Sequence, residues 1–421
     1  MFLLASVGFV VGLNNVWQFP NHLALYGGSA FLFVYLLFLL VLGVPLLMTQ
    51  IMLGRLGRAA PEKSLAVLAR RTRARQVWRW LGVASVLAGF LVLSYYNVVA
   101  GWILAYTARA LSGALDGLTA EGAASVFTAF VRDPEKQLFW LSLFVLLTLL
   151  PLAVNLRAGL ERVVRYGVPG IFLLLLVLVG YAAASGSFTL GIEYFLRTDF
   201  SQLGGDGMLV ALGDAFFSLG LGVGTFMMYG AYLGGQGPLL RHALVIVFVD
   251  VLAGLLAGFT VFPVLFAGGG LSAEGPGLVF QSLTVAFDSL PLGSVMRAVL
   301  FALLALVAWL STLGLAEPCV TWLVERYAWT RPRAVLWTGA ATWVLGVIVI
   351  LSLNRWAFSF SFLGITRTLG LFDILILVTF VLLPLVGLML ATFAGWVLRP
   401  ETTREALAIQ SPCAHDVWLW L

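Results

Sequence analysis

Apolar residues come in long unbroken runs along this chain, and short polar or charged segments separate them. Ten such runs predict ten helices, over residues 3–25, 29–53, 78–111, 137–154, 163–185, 207–233, 241–268, 293–325, 333–351 and 362–398. About twenty apolar residues in a helix span the hydrocarbon of a bilayer. Helix is the form such runs must take, because bare backbone polar groups are not tolerated in lipid. The ten-residue alternation of an outer-membrane barrel is not seen. The fold class expected is an all-α polytopic membrane protein.

Composition sharpens this. Of 421 residues, 61% are hydrophobic and 10% charged, and the mean hydropathy is +1.03. Soluble domains carry about a quarter charged residues, and disorder needs low hydrophobicity with high net charge; both classes are excluded. The net charge of +5 does not indicate a nucleic-acid partner, since the basic residues sit in short loops between runs. Cys319 and Cys413 form neither a CxxC nor a zinc pattern. His22, His242 and His415 are isolated in sequence and read as structural or interfacial. No GxxxxGK[ST] is present, which argues against an ATP-driven pump.

Loop charges set an expected orientation. Arg55, Arg58, Lys63, Arg70, Arg71, Arg73, Arg75 and Arg79 crowd one loop, Arg157, Arg162 and Arg165 a second, and Arg326, Arg331 and Arg333 a third. The alternate loops hold Asp116, Glu121, Asp133, Glu135, Glu193, Asp199, Asp206, Glu274 and Asp288. Both termini are therefore expected in the cytoplasm of a cell-membrane protein. The first run is not expected to be a cleaved signal peptide, lacking a basic start and an A-x-A-like site. The apolar end VWLWL (417–421) suggests the start of a further helix.

Two runs are interrupted at corresponding places. The first reads GFVVGLNNVWQFP (8–20), and the sixth reads GDAFFSLGLGVG (213–224). They would open two five-helix halves, over 1–185 and 207–398, joined by an extracellular loop at 186–206 and followed by a tail at 399–421. Broken helices at matching positions of two halves point to a transporter site at their interface. Unwound carbonyls suit a cation, and half-helix N-termini suit a carboxylate. The glycines alone would also serve close helix packing, but the Asn14–Asn15 amides at mid-depth need a polar use.

Residues 8–20 resemble the first-helix signature of the neurotransmitter:sodium symporters, the SNF family. The resemblance continues in order through GGSAFLFVYLLFLLVLGVP (27–45), GRLGR (54–58), LSYYNVVAGW (93–102), RAGLER (157–162), GDAFFSLGLGVGTFMMYGAY (213–232), GPGLVFQSL (275–283) and LLPLVGL (382–388). It implies two inverted five-helix repeats (5+5) with discontinuous helices 1 and 6. The implied activity is sodium-coupled import of a neutral amino acid by alternating access, with no enzymatic chemistry.

The resemblance also implies site residues. One sodium would take the Val10 carbonyl, Asn15, Ser218 and Asp250, all oxygen donors as a hard cation prefers. A carboxylate within a span is costly and marks function by default. A second sodium would use Gly8, Val11, Val307 and Ser311. There the family has an oxygen ligand just before the serine, where this chain has Leu310, with Thr312 the nearest substitute. For substrate, Gly12 leaves room for a carboxylate to meet the N–H groups of Leu13 and Asn14 and the Tyr96 hydroxyl. Val10, Phe217 and Ser218 flank it, and Val92, Gly220, Val223 and Leu315 would line a pocket for an apolar or aromatic side chain.

The gates depart from the family pattern. Gln18 replaces an arginine, and Leu375, with Asp373 nearby, replaces its acidic partner. Gln50 replaces a glutamate while Asp214 replaces a glutamine, as if a carboxylate had moved between helices and made transport pH-sensitive. Tyr232 and Glu325 match the cytoplasmic gate, whose usual partners lie in a leader before the first helix. Three rival readings follow: a proton-coupled or sodium-independent carrier, a non-transporting membrane sensor, and an intramembrane protease built on Asp214 and Asp250. The last lacks its GxGD glycine, since residue 211 is Ala211.

Overall fold

The computed structural model describes residues 2–154, 156–234, 237–270, 275–354, 356, 358–362, 365–407 and 418. Among the described residues, eight helices are long and apolar enough to cross a membrane: Ser29–Gly57, Gln76–Leu111, Pro134–Ala153, Glu161–Ala183, Leu239–Ala267, Gly293–Tyr327, Arg331–Asn354 and Leu371–Val397. They are spans 2, 3, 4, 5, 7, 8, 9 and 10. Span 1 is a bent pair, Phe2–Val10 and Asn14–Leu25, with 45° between its halves. Span 6 is split into Gly204–Ser218 and Thr225–Ala231.

Spans 3 and 8 form the most extensive helix pair. In each, 72% of the apolar window is buried, against 33% in spans 4, 5 and 10. The first two are therefore the scaffold, and the other three turn a face to lipid. Phe33, Leu37, Leu147, Leu173, Leu377 and Leu388 project from the outside, where hydrocarbon replaces water as the surrounding medium. Span 2 meets the second half of span 6 backbone to backbone. A Cβ on Gly54 would lie 1.9 Å from the Met227 carbonyl oxygen, and one on Gly230 would lie 2.3 Å from that of Ile51. Small residues permit this approach.

Local rules set several helix starts. Thr119 Oγ1 accepts from the Gly122 N–H to open Ala120–Val131, and Asp133 Oδ1 accepts from the Lys136 N–H ahead of Pro134. Such caps satisfy N–H groups that a first turn leaves bare. The loops carry more structure than their polar composition suggests. Pro61–Arg71 is helical within the basic segment, and Phe188–Leu196 is helical within residues 186–206. In the tail, Pro400–Leu407 is helical, and of VWLWL only Trp418 lies within the described residues.

The start of the last span is corrected. Phe358–Phe362 and Ile365–Leu369 pair as an antiparallel hairpin, so the helix begins at Leu371 and not at 362. The alternation of FSFSF (358–362) is a period-2 strand signal, and all but its last residue lie in the gap between the ninth and tenth predicted helices. The Asp373 carboxylate accepts from the Gly370 N–H at 2.9 Å and starts the helix.

Candidate functional site

The break in span 1 begins where the last α-helical bond, Val11 N–H to Val7 carbonyl, ends the first half. The second half opens as a wider π-helical turn over Asn14–Gln18. The break in span 6 is set by glycine. Gly220 and Gly222 have φ of +57° and +90°, which side chains rarely adopt. A Cβ on Gly220 would lie 2.4 Å from the Phe9 ring, and one on Gly222 would lie 2.6 Å from the Leu383 carbonyl oxygen. Gln50 Oε1 accepts from the Gly222 N–H at 3.4 Å, so span 2 holds the unwound segment.

Between the two breaks lies a cavity of 40 Å³. Its wall brings together Val10, Gly12, Leu13, Asn14, Tyr96, Phe217, Ser218, Gly220, Val223 and Leu315, with Val92 and Ser311. Phe9 and Leu383 line it as well; neither was expected from sequence, where each is one more apolar residue in an apolar run. One end is polar. The Leu13 N–H donates to the Tyr96 hydroxyl at 3.2 Å, and the Ser311 hydroxyl donates to the Phe9 and Val11 carbonyls at 3.2 and 3.4 Å. The amide of Asn14 is buried with no hydrogen-bond partner among the described residues.

Beside the cavity, three side chains converge on Asp250. Ser218 Oγ donates to its two oxygens at 2.8 and 2.7 Å, Asn15 Nδ2 to Oδ1 at 2.8 Å, and the Tyr35 hydroxyl to Oδ2 at 3.3 Å. Asn15 Nδ2 also reaches the Asp250 carbonyl at 3.0 Å, and its Oδ1 accepts from the Gly12 N–H at 2.9 Å. Asp250 is fully buried. A buried carboxylate survives only with such donors or a cation. Tyr35 was missed from sequence, where it looks like an ordinary aromatic of span 2.

A model of the sodium:neurotransmitter symporter family matches residues 1–122 and 136–387. The chain belongs to that family. It is 35% identical over 70% of its length to YhdH of Bacillus subtilis, an uncharacterised sodium-dependent transporter, of which the aligned stretch covers 64%. It is 28% identical over 99% of its length to an uncharacterised sodium-dependent transporter of Haemophilus influenzae, covering 92% of that protein. The crystal structure of MhsT in complex with L-phenylalanine superposes with a TM-score of 0.89 at 32% identity, over 99% of this chain and 93% of that one. The fold is the two-repeat architecture of this family. The chain is a transporter of the sodium-coupled class and not an enzyme. Asp214 and Asp250 accordingly have separate partners rather than each other.

At the second ion position expected from the resemblance, Leu310 packs against Gly8. A Cβ on Gly8 would lie 2.9 Å from its Cδ2. Thr312, the nearest oxygen expected there, is engaged elsewhere. Its hydroxyl donates to the Trp309 carbonyl at 2.8 Å and meets Thr148 Oγ1 at 3.4 Å. Val307 is fully buried.

The gate positions resolve unevenly. Gln18 is half-buried, and no side-chain hydrogen bond of it is found among the described residues. Leu375 is buried, and Asp373 is engaged as a helix cap. His22, isolated in sequence, has a partner in space: its Nδ1 lies 2.7 Å from Asp214 Oδ2. The signal was absent from sequence because 192 residues separate the two. On the opposite side, Glu325 accepts from the Ala60 N–H at 3.1 Å and faces Lys63 at 3.9 Å, while Tyr232 is exposed. A stronger pair was overlooked there. Arg331 grips Glu317 with two nitrogens, at 3.0 and 2.6 Å, and Glu317 is fully buried. The acid in GLAEPC (314–319) was its visible signal.

Proposed function

We propose that this symporter imports a neutral amino acid with an apolar or aromatic side chain, driven by sodium through alternating access. One observation carries the reading. The cavity between the two breaks has the Tyr96 hydroxyl and the Leu13 N–H at one end and apolar walls elsewhere, and Ser218 belongs both to it and to the Asp250 cluster. An amino-acid carboxylate at the polar end would sit beside a cation held by the Val10 carbonyl, Asn15, Ser218 and Asp250. Gly12 supports this chemistry, since no acid occupies its place to receive a lone amine. MhsT, with its bound L-phenylalanine, is a relative of like architecture.

One sodium is proposed per cycle. Leu310 leaves the second site, at Gly8, Val11, Val307 and Ser311, short of an oxygen. Residues 1–185 and 207–398 would act as the two repeats, and the positive loops support a cytoplasmic position for both termini. The deciding experiment is uptake of labelled phenylalanine and leucine into proteoliposomes. Accumulation that needs an inward sodium gradient supports the reading. Binding without uptake would favour a sensor. Uptake driven by a proton gradient alone would favour the proton-coupled carrier, for which Leu310 and the His22–Asp214 pair speak.

A further inference from the structure

Trp322 is a wall shared by two spaces that lie outside the transport cavity. On one side is a cavity of 190 Å³ lined by Lys63, Arg70, Arg79 and Arg326 together with Glu62 and Glu325. On the other is a groove of 380 Å³ between spans 3, 8 and 9, lined by residues that include Phe90, Leu323, Trp329 and Trp337.

The charges in the cavity do not cancel. Glu62 accepts from Trp322 Nε1 at 2.7 Å and from Arg326 at 3.3 Å. Glu325 faces Lys63 at 3.9 Å. Each acid thus has its base. Arg70 and Arg79 have no carboxylate partner among the described residues, though Arg79 also lies over the Trp80 ring at 5.1 Å, so the cavity carries two positive charges in excess of its acids. Two guanidiniums suit a phosphodiester, which they can bind through forked hydrogen bonds.

The groove has the opposite character. Leu87 and Trp337 on its walls are more than half exposed, so it opens toward lipid. Thr338 also lines it, and its hydroxyl is buried with no hydrogen-bond partner among the described residues. A buried donor without an acceptor is costly, and an ester carbonyl entering the groove would supply one. Tryptophans at this level are typical of the headgroup boundary, where an apolar ring has a polar edge.

We propose that these two spaces form one site for an anionic phospholipid. The phosphodiester sits against Arg70 and Arg79, one acyl chain lies along the groove, and Trp322 separates the two. A zwitterionic headgroup is disfavoured because its ammonium would enter a cavity already in positive excess. Free phosphate would satisfy the arginines but leave the groove without a role. The site does not depend on which solute is transported.

The test uses the purified full-length protein in neutral detergent. Native mass spectrometry would compare retention of phosphatidylglycerol and phosphatidylcholine of equal chain length, with inorganic phosphate as a competitor. Phosphatidylglycerol should be retained in preference. Arg70→Gln should weaken it about fivefold, and Arg70→Gln with Arg79→Gln roughly 25-fold. Ala341→Phe, which fills the groove, should weaken it as well. Equal retention of the two lipids by the wild-type chain would overturn the proposal. So would displacement by phosphate together with indifference to Ala341→Phe, since that pattern describes a free-anion site. The headgroup comparison on the wild-type chain decides even where a variant fails to fold.

Discussion

His22 Nδ1 lies 2.7 Å from Asp214 Oδ2, and this contact ties the second half of span 1 to the first half of span 6. Asp214 is buried, and it precedes the cavity-lining Phe217 by three residues. If the contact acts as a latch, its loss should loosen the two helices that flank the cavity. A hydrogen bond to a charged partner contributes about 1.5–3 kcal/mol. We expect His22→Ala to release bound labelled amino acid about tenfold faster than wild type. A double-mutant cycle with Asp214→Ala should return a coupling of about 1 kcal/mol or more. A coupling near zero would show that the two residues are neighbours and not a latch.

Asp250 collects four hydrogen bonds from the side chains of Asn15, Ser218 and Tyr35. Asp250→Ala strands those donors in a buried site, at about 1–3 kcal/mol for each one left unmade. It should lower the melting temperature and abolish sodium-dependent amino-acid binding together. Asp250→Asn keeps an oxygen but loses the charge. Its stability should stay closer to wild type while its apparent sodium affinity falls at least tenfold. Sodium titrations by scintillation proximity binding would read this directly. Unchanged sodium affinity in Asp250→Asn would move the ion elsewhere.

Tyr96 tests the other half of the cavity. Its hydroxyl accepts the Leu13 N–H at 3.2 Å at the break in span 1. Tyr96→Phe keeps the ring and removes the partner of both that N–H and the proposed carboxylate. Amino-acid affinity should fall about tenfold to 100-fold, with little change in sodium affinity. Equilibrium binding of labelled phenylalanine measures it, and an unchanged dissociation constant would place the carboxylate away from Tyr96.

The site was legible in sequence wherever a backbone irregularity left a composition mark. GLNNVW and LGLGVG announced the two breaks because glycine and paired asparagine are out of place in an apolar span. Their neighbours followed from the family resemblance, and the structure gathers the residues expected to meet substrate around one cavity. What stayed hidden were pairings across long sequence separations. His22 with Asp214, Tyr35 with Asp250 and Arg331 with Glu317 each depend on which helix faces which. Periodicity along one helix carries no such information. Phe9 and Leu383 stayed hidden for a different reason: an apolar side chain on a cavity wall looks like any other in a run of them. The second strand of the hairpin, 365–369, was taken into the last helix because hydropathy scores an apolar strand and an apolar helix alike.

Glu317 and Arg331 give a prediction in which two changes do less harm than one. Arg331 holds both carboxylate oxygens of the fully buried Glu317, and its Nε donates to the Leu152 carbonyl at 2.9 Å. The pair therefore joins spans 8, 9 and 4. Removing one member of a buried ion pair leaves an unpaired charge out of water and costs about 3–5 kcal/mol, whereas replacing both with apolar residues of similar size is often neutral. Glu317→Leu alone should sharply reduce the yield of folded protein and its melting temperature. Glu317→Leu with Arg331→Met should restore most of both. Transport should not recover in parallel if the ion pair must also open and re-form during the cycle. Fluorescence-detected size exclusion with heating measures the first outcome, and proteoliposome uptake measures the second. A double variant as unstable as the single one would mean that Arg331 matters chiefly for its bond to Leu152 and not for Glu317.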